Sequence, residues 1–348
     1  MPLEAASLTS VGTPMLWTVT ILAVIGLVVV DFLITRRPHE VSMREAVGWS
    51  AFYIALPLAF GAFIWARFGS VTGVEYLTGY LVEKSLSVDN LFVFMLLLSA
   101  FAVPAVLQQR VLLFGIVGAL VLRGIFIALG AAVLANFSFA FLLFGGILLA
   151  TAVKILRDQR SGHGPAVDVS TLRSVRLLRR FMPVTEDYRG SRMVVRENGR
   201  RALTPLAVVV VAVLATDVVF AVDSVPAVYG ITGDPFLVFA TNAFALLGLR
   251  ALYFVLQGAL SKLVHLGYGL AAILAFIGVK LVMHWAHGVW TRVPEIPTLL
   301  SLGVIIAVLG VVTATSLHAT RGIEPVSAAE DAPAGVVKDE APVGTGKG

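Results

Sequence analysis

Two stretches decide how this chain is read: Glu83-Lys84-Ser85-Leu86-Ser87-Val88-Asp89-Asn90 and Asp217-Val218-Val219-Phe220-Ala221-Val222-Asp223-Ser224. Each sets two carboxylates six residues apart and ends Val-Asp followed by a small polar residue. Both lie inside long apolar runs, where an acid at a bilayer centre costs about 2.5–3.5 kcal/mol on insertion scales. Four such acids left alone would cost about 10 kcal/mol. A compensating partner is therefore expected, and a cation is the simplest.

Working outward, the 348 residues are 58% hydrophobic and only 14% charged, against about 25% charged in a soluble domain. Apolar runs recur along most of the length. They predict an all-α polytopic membrane protein with about nine transmembrane helices. The spans fall near 14–34, 45–65, 76–101, 106–134, 139–156, 203–229, 236–260, 267–286 and 297–317, so the transmembrane domain covers 14–318. The chain has no cysteine, which excludes disulfides, thiolate metal sites and Fe–S clusters. The net charge of +5 does not point to nucleic acid, because the basic residues sit between apolar runs.

Residues 157–202 hold eleven arginines against five acids and read as a basic cytoplasmic loop. Within it, Ser170 to Phe181 could form a short amphipathic helix. The tail 322–348 lacks aromatics and periodicity and reads as a disordered cytoplasmic segment. Fixing the Arg-rich loop inside puts Arg36, Arg37, Arg44, Arg110, Lys262 and Arg321 inside too, and only Arg67 and Arg292 outside. The expected orientation is N-terminus out and C-terminus in, as in a bacterial-type inner membrane. No basic start marks the first residues as a secretory signal.

The acidic stretches belong to a longer internal repeat. Leu122-Arg123 and Leu249-Arg250 occupy the next helix of each set, and Ile147-Leu148 precedes Lys154 as Ile273-Leu274 precedes Lys280. Repeat 1 runs over about 76–156 and repeat 2 over about 203–286. Three helices per copy make the second copy upside down, a 3+3 inverted repeat, which is a common plan of secondary transporters. The first, second and last spans would then be peripheral.

Helical residues turn about 100° each, so positions six apart fall about 240° around. Glu83 and Asp89 cannot both face one point on a straight helix, nor can Asp217 and Asp223. Either each helix unwinds, exposing carbonyl ligands, or one acid of each pair faces elsewhere. The donor set is Glu83, Asp89, Asn90, Asp217, Asp223 and Ser224, with Asn242 on the following helix. Carboxylate, amide and hydroxyl oxygens suit hard divalent cations: Mg²⁺, Ca²⁺ or Mn²⁺. The competing role for the acids is charge pairing with Arg123, Arg250, Lys154 and Lys280. Asp31, at the end of the first span, reads as interfacial, and His284 and His287 as an interfacial cluster beside Trp285 and Trp290. Gly233-Asp234-Pro235 reads as a turn. No phosphate-binding glycine loop and no hydrolase motif is present, so an enzyme is not expected.

These same stretches resemble the TerC/Alx family of integral membrane proteins, and the Alx-like branch fits best. The run Gly-Tyr-Leu-Val-Glu-Lys-Ser-Leu-Ser-Val-Asp-Asn at 79–90 carries the resemblance, with Phe-Ala-Val-Asp-Ser-Val-Pro at 220–226 and the segment from Thr232 to Tyr253. The resemblance covers roughly 14–318. It implies manganese efflux, with tellurium-ion resistance behind the family's name, and makes Glu83, Asp89, Asn90, Asp217, Asp223 and Ser224 ion-site residues. The expectation is a secondary transporter exporting Mn²⁺ as substrate, with no permanently bound cofactor. Protons are the expected counter-ion, since a buried carboxyl group can hold either a metal ion or a proton. Two other functions stay open: an anion or metalloid transporter built on the buried basic residues, and a membrane scaffold built on the basic loop. Oligomeric state is open.

Overall fold

The computed structural model describes residues 10–35, 42–137, 139–161, 183–185, 187–197, 200–256, 265–290 and 292–319. The helices are α1 (Pro14–Thr35), α2 (Met43–Phe68), α3 (Ser70–Ala100), α4 (Ala105–Asn136) and α5 (Ala140–Arg160), then α6 (Pro205–Tyr229), α7 (Pro235–Leu247), α8 (Leu249–Leu256), α9 (Leu266–Val289) and α10 (Thr298–Ala319). A hairpin of β1 (Val194–Glu197) and β2 (Arg200–Leu203) precedes α6. The helical class agrees with the sequence reading; the hairpin was not expected, and it makes part of 157–202 a folded element. The candidate amphipathic helix at 170–181 and the tail 322–348 lie outside the described residues.

Among the described residues, seven single helices, α1, α2, α4, α5, α6, α9 and α10, are long and apolar enough to cross a membrane, and the bent pair α7–α8 is an eighth. Helix α3 falls outside that set because every 18-residue stretch of it holds at least three of Glu75, Glu83, Lys84 and Asp89. At 31 residues it is nonetheless about 46 Å long, more than a bilayer core of about 30 Å.

Packing explains how α3 carries that charge. It contacts α2, α6, α7, α8, α9 and α10, and so is surrounded by protein. Leu91, Phe94 and Leu98 join a core with α4 and α6; Tyr76 and Tyr80 join one with α2 and α7; Val82 and Leu86 join one with α5 and α9. Helix α2, expected at the periphery, puts Tyr53 and Ile64 into the second of these cores.

Local chemistry sets the helix ends. The Ser42 hydroxyl accepts from the Glu45 N–H at 3.3 Å to start α2, and Pro205 opens α6 at a position where its missing N–H costs nothing. Asp234 caps α7 by accepting from the Phe236 N–H at 2.8 Å. The expected turn at 233–235 is thus a helix cap, and the same carboxylate also accepts from Ser10 Oγ and the Val11 N–H, both at 2.6 Å. Helices α5 and α9 approach most closely at Gly145 and Gly278, where an added Cβ on Gly145 would come within 2.8 Å of the Gly278 carbonyl.

Candidate functional site

Both acidic stretches are continuous helix. Of the two alternatives, unwinding does not occur; Asp217 and Asp223 face different ways, as a 240° separation requires. Glu83 and Asp217 turn inward and are fully buried. Between them lies Arg123 of α4, only 1% exposed. Its Nη1 forms an ion pair with Glu83 and donates to Asn242 Oδ1 of α7 at 2.9 Å, while Nη2 lies 3.5 Å from Asp217 Oδ1. With the Asn90 amide oriented to satisfy both its ends, its oxygen accepts from Arg123 Nη2 at 3.1 Å and its nitrogen donates to Leu86 O at 3.1 Å. Asn242 Nδ2 donates in turn to Val238 O at 2.9 Å, which fixes that amide's orientation.

One guanidinium therefore gathers four of the sequence-derived residues from α3, α6 and α7. A single positive charge faces two carboxylates, so the cluster is net negative when both are ionised. Among the described residues, Glu83 Oε2 and Asp217 Oδ2 of the cluster, and Ser87 Oγ and Ser224 Oγ on the same two helices, are buried without a hydrogen-bond partner. Buried oxygens in this condition cost about 1–3 kcal/mol each, more when charged. A proton or a small cation would relieve that cost.

Asp223 faces away from Arg123. It accepts from Thr151 Oγ1 of α5 at 2.7 Å and lines a cavity of about 180 Å³ with Asn90, Ser224, Lys154 and Asp158. Asn90 and Ser224 thus stand between the buried cluster and the cavity. Thr151 escaped the sequence reading, although its place three residues before Lys154 puts both on one face of α5. Asp89 lies in α3, but its side chain is outside the described residues.

Of the other basic residues, Lys154 lies beside Asp223, within the expected pairing, whereas Arg250 and Lys280 turn to other acids. Among the described side chains, Arg250 meets none of Glu83, Asp217 and Asp223. Its Nη2 and Nε donate to Asp31 at 2.8 and 3.2 Å, Tyr53 donates to the same carboxylate at 2.9 Å, and Arg250 Nη1 reaches Gln109 Oε1 at 3.5 Å. Asp31 is 2% exposed, so it is enclosed by protein and paired near the end of α1. The 41° bend at Gly248 separates Arg250 from α7 and its Asn242. Lys280 interacts with Glu75 and Glu295, and Glu75 also accepts from Thr232 Oγ1 at 2.9 Å. Lys84, beside Glu83 in sequence, points to the opposite side and donates to Ala245 O at 3.4 Å, near the end of α7. His284 and His287 engage Glu295 and the Val293 carbonyl at the end of α9.

Among the described residues no three His, Asp or Glu side chains group to hold a metal. The site is instead a mixed set of carboxylates, amides and hydroxyls around one arginine.

A family pattern described as "Integral membrane protein TerC family" matches residues 68–322, the span that contains Arg123 and the residues gathered around it. The chain belongs to the TerC family. Among its TerC relatives, an uncharacterized membrane protein of Myxococcus xanthus is 42% identical over 90% of this chain and 95% of its own length. An uncharacterized membrane protein of Mycobacterium tuberculosis is 43% identical, covering 88% and 80%. The putative membrane-bound redox modulator Alx of Escherichia coli is 40% identical, covering 86% and 93%. No solved structure matches this TerC chain.

Proposed function

We propose that this TerC protein is a secondary transporter exporting a hard divalent cation, Mn²⁺ foremost, in exchange for protons. The single observation that carries this is the net-negative buried cluster of Glu83, Asp217, Asn90 and Asn242 around Arg123, adjoining a cavity that holds Asp223. Oxygen donors of this kind select hard cations. The choice of manganese, and export over import, follows the family resemblance.

In this reading the ion enters the cavity at Asp158 and is held by Asp223 with Asn90 and Ser224. Deeper passage loosens the Arg123 contacts, so the guanidinium is the resident counter-ion of the empty state. The acids take protons when the metal leaves, and the proton gradient then drives release. Helix α3 counts as a ninth span, α3–α5 and α6–α9 form the inverted repeat, and the N-terminus lies outside. Asp89 is the remaining member of the ion path.

Anion transport is disfavoured because Arg123 and Arg250 both already hold carboxylates. Redox modulation by thiol exchange, suggested by the name of the Alx relatives, is not open to a sequence without cysteine.

The test is cellular manganese after a manganese challenge in an efflux-deficient host. Wild type is compared with Asp223→Asn at matched membrane abundance. Asp223 is the clean choice because it is only partly buried and an amide can still accept from Thr151. Wild type should lower manganese and the variant should not. Unchanged manganese with wild type would refute export; lowering by both would remove Asp223 from the ion path.

A further inference from the structure

The hairpin before α6 is a feature that neither the buried site nor the cavity uses. It is held firmly to the end of the helical bundle. Tyr188 donates to Phe101 O at 2.7 Å, Thr204 Oγ1 to Arg192 O at 2.7 Å, and the Thr185 N–H to Leu203 O at 2.9 Å. Its register sets Arg196 directly opposite Arg201. Both are exposed, as are Arg189 and Arg192. Like charges directly opposite on one face of an antiparallel pair destabilise it. Among the described residues, the carboxylate of this hairpin, Glu197, goes to Arg189 at 3.6 Å, and no carboxylate pairs with Arg192, Arg196 or Arg201.

Orientation of a membrane protein needs basic charge in a loop; it does not need two arginines locked face to face. Such a pair suits an anion between them, whose charge offsets the repulsion and which accepts charge-assisted hydrogen bonds from both side chains. The location selects the anion. Leu203 and Thr204 lead directly into Pro205 of α6, so Arg201 is separated from the span by at most about 13 Å of extended chain. That is the headgroup zone, where phosphodiesters are always at hand.

We propose that the Arg196–Arg201 face of this hairpin binds the phosphate of an anionic phospholipid, so that the bilayer itself completes the hairpin. The site is independent of the transport reading.

The experiment uses the full-length protein in mixed micelles and follows thermal unfolding. Phosphatidylglycerol should raise the midpoint above phosphatidylcholine by about 2 °C or more. In R196Q/R201Q that gain should fall by at least half, while R67Q, at an exposed arginine near the end of α2, keeps it. R196K/R201K should retain most of it, which separates charge from hairpin integrity. In phosphatidylcholine, R196Q alone should be no less stable than wild type, because it relieves a repulsion. Four outcomes overturn the proposal: no gain in wild type, an equal gain in R196Q/R201Q, loss in the lysine pair as well, or the same gain from inorganic phosphate alone.

Discussion

Glu83 of α3 and Asp217 of α6 hold equivalent places in the two acidic stretches, and both lean on the same guanidinium, Arg123. Each stretch contributes its first acid to one shared centre, so the electrostatic link between α3 and α6 runs through a residue of neither.

Arg123→Gln should therefore be severe. It leaves two carboxylates buried without a counter-charge, and breaking a buried pair costs about 3–5 kcal/mol. Glu83→Gln in the same chain should restore much of the loss, since it removes one orphaned charge. Thermal unfolding of the two single variants and the double variant measures the coupling. Strictly additive effects would show that the contact carries no energy.

Asp31 and Arg250 should behave as a second, separate unit. Asp31→Asn and Arg250→Gln are each expected to lower the unfolding midpoint, and together to do no more harm than the worse of the two. Tyr53→Phe removes one hydrogen bond to the same carboxylate and should cost about 1 kcal/mol, more if the charge is strongly engaged. Combining Asp31→Asn with Arg123→Gln tests separateness: their effects should add, because the two clusters share no side chain.

Lys154 and Asp158 line the same cavity as Asp223 with opposite charge. Lys154→Gln should raise the apparent affinity for manganese in transport assays, and Asp158→Asn should lower it. Pairs of this exposure are worth about 0.2–1 kcal/mol, so the change reaches at most about fivefold in either direction. Both effects should shrink at high ionic strength. Equal affinities in all three proteins would mean that the cavity is not the access route.

Gly145 and Gly278 set the spacing of α5 and α9. Gly145→Ala should cost about 1–3 kcal/mol by overpacking against backbone that has no rotamer to yield. Gly146→Ala, at a neighbour whose added Cβ meets nothing, is the matched control and should be close to neutral. The comparison is read as the yield of folded protein extracted from the membrane and its unfolding midpoint.

Membrane class and the approximate helix spans were legible in the sequence because they depend on a local quantity, the length of an apolar run. The 240° separation within each acidic pair was legible for the same reason, and it foretold that unbroken helices must split the pairs. Partner choice was not. Arg123 and Arg250 sit in matching Leu-Arg pairs, yet one holds Glu83 and Asp217 and the other holds Asp31. Which base meets which acid depends on how each helix is rotated and which neighbour it packs against, and sequence periodicity leaves both free. Asp31 was legible only as the end of an apolar run; its bonds to Tyr53 of α2 and Arg250 of α8 could not be read from it. The surroundings of the bend at Gly248, packed against Tyr53 and Lys84, and the docking of the hairpin through Tyr188 on Phe101 likewise depend on segments far apart in the chain. Burial and pairing are properties of what surrounds a side chain, and only the tertiary structure supplies the surroundings.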